Sequence, residues 1–267
     1  MRAVLFAPTS SSLYSRLVAN EILAQSEVDL VGIYVRRLWS YKRIRTDLRR
    51  EGPRLMQKIT SKLILPEPTI AEQERSPLSV MAAEIGLNFK DLSALSRRKR
   101  IFYQQVSDFN SSACESALLE LSPDLIVFTG GGLIRKKILD IPTLGVLNCH
   151  SGLLPRYRGM DTLEWTLLEA ENALPRVGLT LHFMDKGVDT GPILRQHVEA
   201  LKPGETLDAV RKRLEPAMVR LMSGGVRDLQ RGELHAQVQE RSEGQQYFVI
   251  HPRLQARAEL KLGQAHN

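Results

Sequence analysis

The chain has 267 residues, 43% of them hydrophobic and 25% charged, and a net charge of +7 at neutral pH. That balance describes an ordinary globular protein with one large domain, or one domain and an appendage, long enough to bury a real core. Cys114 and Cys149 are its two cysteines; their positions exclude a disulfide scaffold and a zinc site and make a reducing cytoplasm the expected compartment, while no apolar run approaches a membrane span or a secretory signal.

In chain order, Met1 to Ala7 reads as a buried strand, followed by the hydroxyl-rich loop Pro8 to Ser12 and a helical pattern through Leu23. The loop hydroxyls suit a helix cap better than a phosphate site, and with no Gly-x-Gly-x-x-Gly present no nicotinamide cofactor is expected. Val28 to Val35 is a second strand, which makes the amino end an α/β doubly wound pattern. From Arg36 to Lys62 the composition turns basic: Arg36, Arg37, Lys42, Arg43, Arg45, Arg49, Arg50, Arg54, Lys58 and Lys62 face only Asp47 and Glu51. Apolar residues at near-helical spacing make this a basic amphipathic helix or helix pair. Its polar face is expected to be solvated, with an anionic substrate, an acidic partner or an anionic membrane surface as the sharper options. Nucleic acid is not the expected partner. Pro66 to Pro77 reads as a connector, and helices are expected near Leu78 to Ile85 and Asp91 to Leu95. A solvated basic run, Arg97 to Arg100, a short strand from Ile101 to Val106 and a capped helix through Leu121 complete this half.

Pro123 to Thr129 is the clearest central strand, and it ends in Gly130-Gly131-Gly132-Leu133-Ile134. Glycines at the carboxyl end of a strand let backbone approach a ligand, and in doubly wound sheets that edge is where ligands bind. Gly145 to His150 is the next strand. Asn148 and His150 are two residues apart, so both face one cleft, while Cys149 between them points away. A Gly/Pro-broken loop, Ser151 to Gly159, follows. Thr162 to Ala170 is a covering helix, and Val177 to Leu194 reads as a strand, a turn carrying two acids and a second strand, with Asp189 where the turn re-enters the sheet. An amide, an imidazole and a carboxylate in one cleft suit acyl transfer to an amine: the amide or a protonated imidazole stabilises charge on a carbonyl oxygen, the imidazole or a carboxylate-held water takes the amine proton, and no Ser or Cys nucleophile is needed. A long helix starts at Thr206 and is interrupted at Ser223-Gly224-Gly225. His235 to Gln239 and Gln245 to Ile250 are expected to pair as a terminal hairpin, giving a catalytic domain over 1–235, with the basic helical insertion at about 36–100, and a tail over 236–267.

Asn148-Cys149-His150, the run Leu153-Leu154-Pro155-Arg156-Tyr157-Arg158-Gly159, and Asp189-Thr190-Gly191-Pro192 together resemble the folate-dependent formyltransferase superfamily, in order and in separation. The likeness is clear over about 110–235, weaker at the amino end and absent from about 36–100. It implies a Rossmann-like doubly wound fold, Asn148, His150 and Asp189 as the catalytic residues, 10-formyltetrahydrofolate as acyl donor and an N-formyl amine as product. It also implies that the backbone of Gly130, Gly131, Gly132, Leu133 and Ile134 walls the pterin side of the donor pocket. Asp185, a second carboxylate in reach, is grouped with the donor-binding residues. His182 matches a histidine of some members, but a hydrogen-bonded strand histidine is the plainer expectation. The family usually has Ser where this chain has Gly152, which bears on acceptor contacts. No metal is expected, the acceptor is expected to be a small amine such as a nucleotide-linked amino sugar, and the chain after the hairpin is too short for the extra domain expected of a tRNA formyltransferase. Donor hydrolysis is the alternative within the fold; a non-catalytic binding or membrane-surface protein using the basic segment is the alternative outside it. Oligomeric state is not legible.

Overall fold

The computed structural model describes residues 1–37, 76–170, 175–202 and 204–264. The strands are β1 (Arg2–Ala7), β2 (Asp29–Arg36), β3 (Phe102–Val106), β4 (Leu125–Phe128), β5 (Gly145–His150), β6 (Tyr157–Gly159), β7 (Arg176–Phe183), β8 (Ile193–Ala200) and β9 (Gln245–Tyr247). Seven of them form one sheet in the order β3-β2-β1-β4-β5-β7-β8. Pairing is parallel from β3 to β5 and antiparallel from β5 through β7 to β8, so the expected α/β doubly wound sheet is present, extended on one side by an antiparallel pair. Strands covered on both faces carry near-continuous apolar sequence, and β4 (LIVF) is buried throughout.

The helices are α1 (Leu13–Leu23), α2 (Pro77–Glu84), α3 (Leu92–Lys99), α4 (Ser112–Leu121), α5 (Lys136–Leu139), α6 (Thr162–Glu169), α7 (Leu207–Gln230) and α8 (Pro252–Gln264). They divide the core in two. Leu17, Ile33, Val127, Leu147, Cys149, Leu181 and Leu214 lie in the larger apolar cluster; Phe6, Tyr34, Phe109, Ile126 and Val146 lie in the smaller one. Successive residues of β5 alternate between these faces, which sends Cys149 into the larger core and leaves Asn148 and His150 on the other side. Ser12 caps α1 through the Ser15 amide at 3.3 Å, and the Ser10 hydroxyl accepts from Ser93 N at 3.3 Å, so the hydroxyl-rich loop serves helix ends.

Two expectations are corrected. The glycine pair does not interrupt α7, which is continuous from Leu207 to Gln230. Gly225 sits against the Leu181 side chain so closely that a Cβ would overlap it. Burial of the helix at this crossing offsets the roughly 1 kcal/mol per glycine that a solvated helix would lose. The terminal hairpin does not form either. β9 pairs in parallel with β6, Tyr157 opposite Gln245 and Gly159 opposite Tyr247, while Gln237 bridges to Ile193 at the start of β8. Buried Tyr247 supplies the reason: its ring lies 5.6 Å from Tyr157 and 5.3 Å from Trp165, an aromatic contact the hairpin would forfeit. Past it the chain forms α8, packed on α6.

Of the basic insertion, residues 38–75 lie outside the described residues. Arg36, the first of the basic run, ends β2 and sends its guanidinium to the Gly131 carbonyl. The run Arg97 to Arg100 is exposed, as expected of solvated charge, and three of its residues occupy the last turn of α3, where positive charge complements the helix dipole. Among the described residues no helix is long and apolar enough to cross a membrane.

Candidate active site

β5 lies between β4 and β7, and its register sets the site. Asn148 is opposite His182 and His150 is opposite Thr180 on β7. Thr180 and His182 alternate with buried Leu179 and Leu181, so both polar residues share the face of Asn148 and His150. The loop after β5 is stitched to this pair. Thr180 Oγ1 donates to the Gly152 carbonyl at 2.6 Å and accepts from Leu154 N at 3.1 Å. Gln196 Nε2 donates to the Leu154 carbonyl at 2.5 Å. The loop then returns as β6, whose backbone runs past the site.

Both imidazoles spend their N–H on backbone. His150 Nε2 is 2.8 Å from the Tyr157 carbonyl and His182 Nδ1 is 2.8 Å from the Phe183 carbonyl. A carbonyl only accepts, so in each neutral ring that nitrogen carries the hydrogen and the other presents a lone pair. The lone pair of His182 Nε2 therefore accepts from Asn148 Nδ2 at 3.1 Å, which fixes the amide's orientation and leaves its second N–H for the cleft. The two remaining ring nitrogens converge on one carboxylate: His150 Nδ1 is 3.4 Å from Asp189 Oδ2 and His182 Nε2 is 3.5 Å from Asp189 Oδ1. Gly159 N donates to Asp189 Oδ2 at 2.9 Å.

The electrostatics follow from burial. His150 is 6% exposed, and burial pushes its imidazole below the ordinary histidine value, although Asp189 and the Tyr157 carbonyl pull it back part of the way. Burial also pushes the Asp189 carboxyl up; its contact with the His182 ring, the pull of the His150 ring and the Gly159 amide outweigh it, and the group is held below the ordinary aspartate value. With each ring's N–H committed to a backbone carbonyl, the neutral tautomers present the Asp189 carboxylate with two ring nitrogens that carry no hydrogen. A proton delivered to either ring creates an ion pair inside the protein, which makes the cluster a proton acceptor. Cys149 is free, and burial raises its thiol far above the ordinary range, so it is not a reactive nucleophile.

The glycine run borders this cluster. β4 pairs Phe128 with Asn148, and the loop leaves the strand directly after. Gly130, Gly131 and Gly132 have φ of 123°, 122° and 108°. A Cβ on Gly131 would sit 2.5 Å from the Phe109 ring and one on Gly132 2.7 Å from the Arg36 guanidinium, so glycine is required at both. Asn110 braces the far end, donating to the Leu133 carbonyl at 2.9 Å and accepting from Arg135 N at 2.6 Å. Leu133 is 73% exposed, whereas Ile134 is buried. Asp185 is committed within its turn: its Oδ1 accepts from Gly187 N at 2.9 Å and from Thr190 Oγ1 at 2.7 Å. Among the described residues no group of acidic, Cys and His side chains could hold a metal ion.

His182 is the site residue that its sequence context undersold. Alternation with Leu179 and Leu181 already placed it on a polar face; its pairing with Asn148 required the register. Gln239 carried no signal at all. Its Nε2 donates to the carbonyls of Asp189 at 3.1 Å and Gly191 at 2.5 Å from a segment expected to be a hairpin strand.

A doubly wound α/β sheet that brings an amide and two imidazoles on β5 and β7 to a carboxylate in the turn after β7 is an arrangement suited to acyl transfer. Residues 48–226 match the family described as Formyl transferase, and the chain belongs to that family. Among curated relatives, the methionyl-tRNA formyltransferase of Syntrophus aciditrophicus (strain SB) is 40% identical over 126 residues, 47% of this chain and 39% of the relative. That of Pelobacter propionicus is 34% identical over 133 residues, 49% of this chain and 41% of the relative. The match thus spans about two fifths of these relatives, 39% and 41% of their lengths. Glycinamide ribonucleotide transformylase 1 from Symbiobacterium toebii superposes with a TM-score of 0.56 at 17% identity, covering 90% of this chain and 94% of that one. A sugar N-formyltransferase from Shewanella sp FDAARGOS_354 gives 0.57 at 14% identity, covering 98% and 87%. The two structures share the fold.

Proposed function

We propose that the chain is a folate-dependent N-formyltransferase that moves a formyl group from 10-formyltetrahydrofolate to the amine of a small acceptor. The observation that carries this reading is the Asp189 carboxylate between two imidazoles whose N–H groups are committed to carbonyls, beside an oriented Asn148 amide. The donor supplies an electrophilic formyl carbon. The chain fits it: the positive-φ glycine loop offers backbone groups, and exposed Leu133 an apolar surface, on the strand next to Asn148. Asn148 Nδ2 donates its second hydrogen to the acyl oxygen as negative charge develops there, a donor held in place before reaction by His182. Neutral His150 takes the amine proton at Nδ1, Asp189 stabilises the imidazolium that results, and that proton passes to the donor nitrogen as its bond to the formyl carbon breaks and tetrahydrofolate leaves. Gly130 to Ile134 hold the donor, and the acceptor approaches from the β6 side. Such chemistry belongs in a reducing cytoplasm, where Cys114 and Cys149 stay free.

A nucleotide-linked amino sugar is the first acceptor class. One observation favours a second: the curated relatives at 34% to 40% identity are methionyl-tRNA formyltransferases, so the amine of a charged tRNA belongs beside the sugars. Calorimetry with a stable 10-formyltetrahydrofolate analogue, paired with donor turnover on nucleotide amino sugars and on methionyl-tRNA, tests the reading. Amine-dependent turnover identifies the acceptor. Formate release without any amine makes the protein a donor hydrolase, and no analogue binding overturns the folate assignment.

A further inference from the structure

The segment just before β9 closes a ring of bonds around the site. β6 touches both halves of the proton acceptor: its Tyr157 carbonyl receives His150 Nε2, and its Gly159 N–H holds Asp189 Oδ2. Between them is Arg158, 4% exposed, whose Nε and Nη2 donate to Gln239 Oε1 at 3.3 and 3.2 Å and whose Nη2 reaches the Glu240 carbonyl at 2.9 Å. The other end of the Gln239 amide donates to the carbonyls of Asp189 and Gly191. One buried side chain, 8% exposed, thus ties the strand that holds His150 to the turn that holds Asp189. That turn needs tying, because Asp189 has φ of 52°, a left-handed conformation that a non-glycine residue adopts only when its surroundings hold it there.

We propose that Gln239 is a positioning residue that sets the His150 to Asp189 separation, acting through the backbone of β6 and of the Asp189 turn. A carboxamide meets the requirement because it offers donors to two carbonyls and an acceptor to a guanidinium at once. Glutamate keeps the acceptor and loses both donors. Methionine, of similar length, loses all four bonds. The effect on turnover rests on the formyl-transfer reading above; the effect on the imidazole does not.

The test compares Gln239→Glu and Gln239→Met with wild type in three measurements: His150 titration by NMR on histidine-labelled protein, turnover, and binding of the folate analogue. His182 and Asp189 are the titratable groups facing His150, and its assignment comes from His150→Gln. In Gln239→Met, Asp189 moves off the ring and the His150 midpoint falls by about half a pH unit or more. In both variants kcat falls on the order of 10- to 100-fold, because a misplacement of about 1 Å costs that much, while analogue binding stays within about threefold and the acid limb of the pH profile shifts with the midpoint. Should Gln239→Met fail to fold, Gln239→Glu decides, since it retains the Arg158 contact; its added charge pushes the midpoint up, so kcat at the pH plateau is the deciding measurement there. Folded variants with wild-type kcat and an unmoved His150 midpoint in Gln239→Met overturn the proposal. If the wild type turns over no acceptor, the formyl-transfer reading falls, and the Gln239→Met titration still decides this inference.

Discussion

Asn148 and His150 stand on β5, a strand paired on both sides by β4 and β7, whereas Asp189 stands in the turn between β7 and β8 with its backbone in the left-handed region. The strand half is fixed by its own ladder hydrogen bonds, and its residues face the cleft because of the two-residue repeat. The turn half has no ladder to hold it. It is held by Gly159 N, by the Gln239 amide and by the Asp185 carboxylate within the turn. On the proposed mechanism the reacting groups sit on the rigid half, and the group that tunes them sits on the half assembled from distant pieces. A substitution at half-buried Asn148 on β5 should therefore remove chemistry and spare stability, and one around the turn should do some of both.

The largest effect is expected on the strand side. Asn148→Ala removes the donor to the acyl oxygen and His150→Ala the proton acceptor, so each should lower kcat by about 10²- to 10⁴-fold. Thermal unfolding should be little changed for Asn148→Ala, and binding of the folate analogue should stay within about threefold. A variant that loses analogue binding and turnover together would move Asn148 from chemistry to donor binding.

The same division decided what could be read in the sequence. β5 was legible because alternation is a local property: Val146, Asn148 and His150 on one face and Leu147 and Cys149 on the other follow from a repeat of two. Gly130 to Gly132 were legible because a strand ending in three glycines needs a reason, and the φ values supply it. The tail was misread because an alternating segment can pair with any strand edge, and nothing local says that Tyr247 prefers Tyr157 and Trp165 to a hairpin partner. The glycine pair in α7 was misread for a related reason: glycine's low propensity is local, while its fit against Leu181 is tertiary. Gln239 was invisible because it meets Arg158 across 81 positions of chain.

On the turn side, Gly159→Ala should give the next largest effect. Gly159 has φ of 96°, and a Cβ there would drive into the Tyr247 carbonyl. The substitution strains the backbone by about 1–3 kcal/mol, loosens β9 and displaces the N–H that holds Asp189. Tm should fall and kcat should fall with it, by about tenfold or more. If unfolding is destabilised while kcat stays at the wild-type value, β6 supports the fold and not the carboxylate.

The pH profile joins the two halves. Burial sets the His150 imidazole below the ordinary value of roughly 6.5, and the ring must be neutral to accept the amine proton. The acid limb of kcat/KM should therefore lie below that value. Asp189→Asn removes the charge that pulls the ring back up, so the limb of the residual activity should move further down. An upward move would mean that the ring works as an imidazolium. The sign for stability is the same: below the ordinary histidine value the unfolded chain binds more protons at this position than the folded one, so His150 costs the fold stability as the pH falls through that window.

The smallest effect is expected at Asp185, and it separates two uses of one carboxylate. Its Oδ1 accepts from Gly187 N and Thr190 Oγ1, bonds that shape the turn leading into Asp189. Asp185→Ala should cost about 1 kcal/mol of stability for the lost bonds, and Asp185→Asn less, because an amide oxygen can still accept from both. If Asp185 also binds the donor, the two variants should raise the donor KM together, since both remove the charge. Should only Asp185→Ala change turnover, and only through kcat, the carboxylate acts on the reaction by setting the Asp189 turn. Steady-state donor KM and kcat for the pair distinguish these cases: Oδ1 already shapes the turn that carries Asp189, so a donor contact would have to fall to Oδ2.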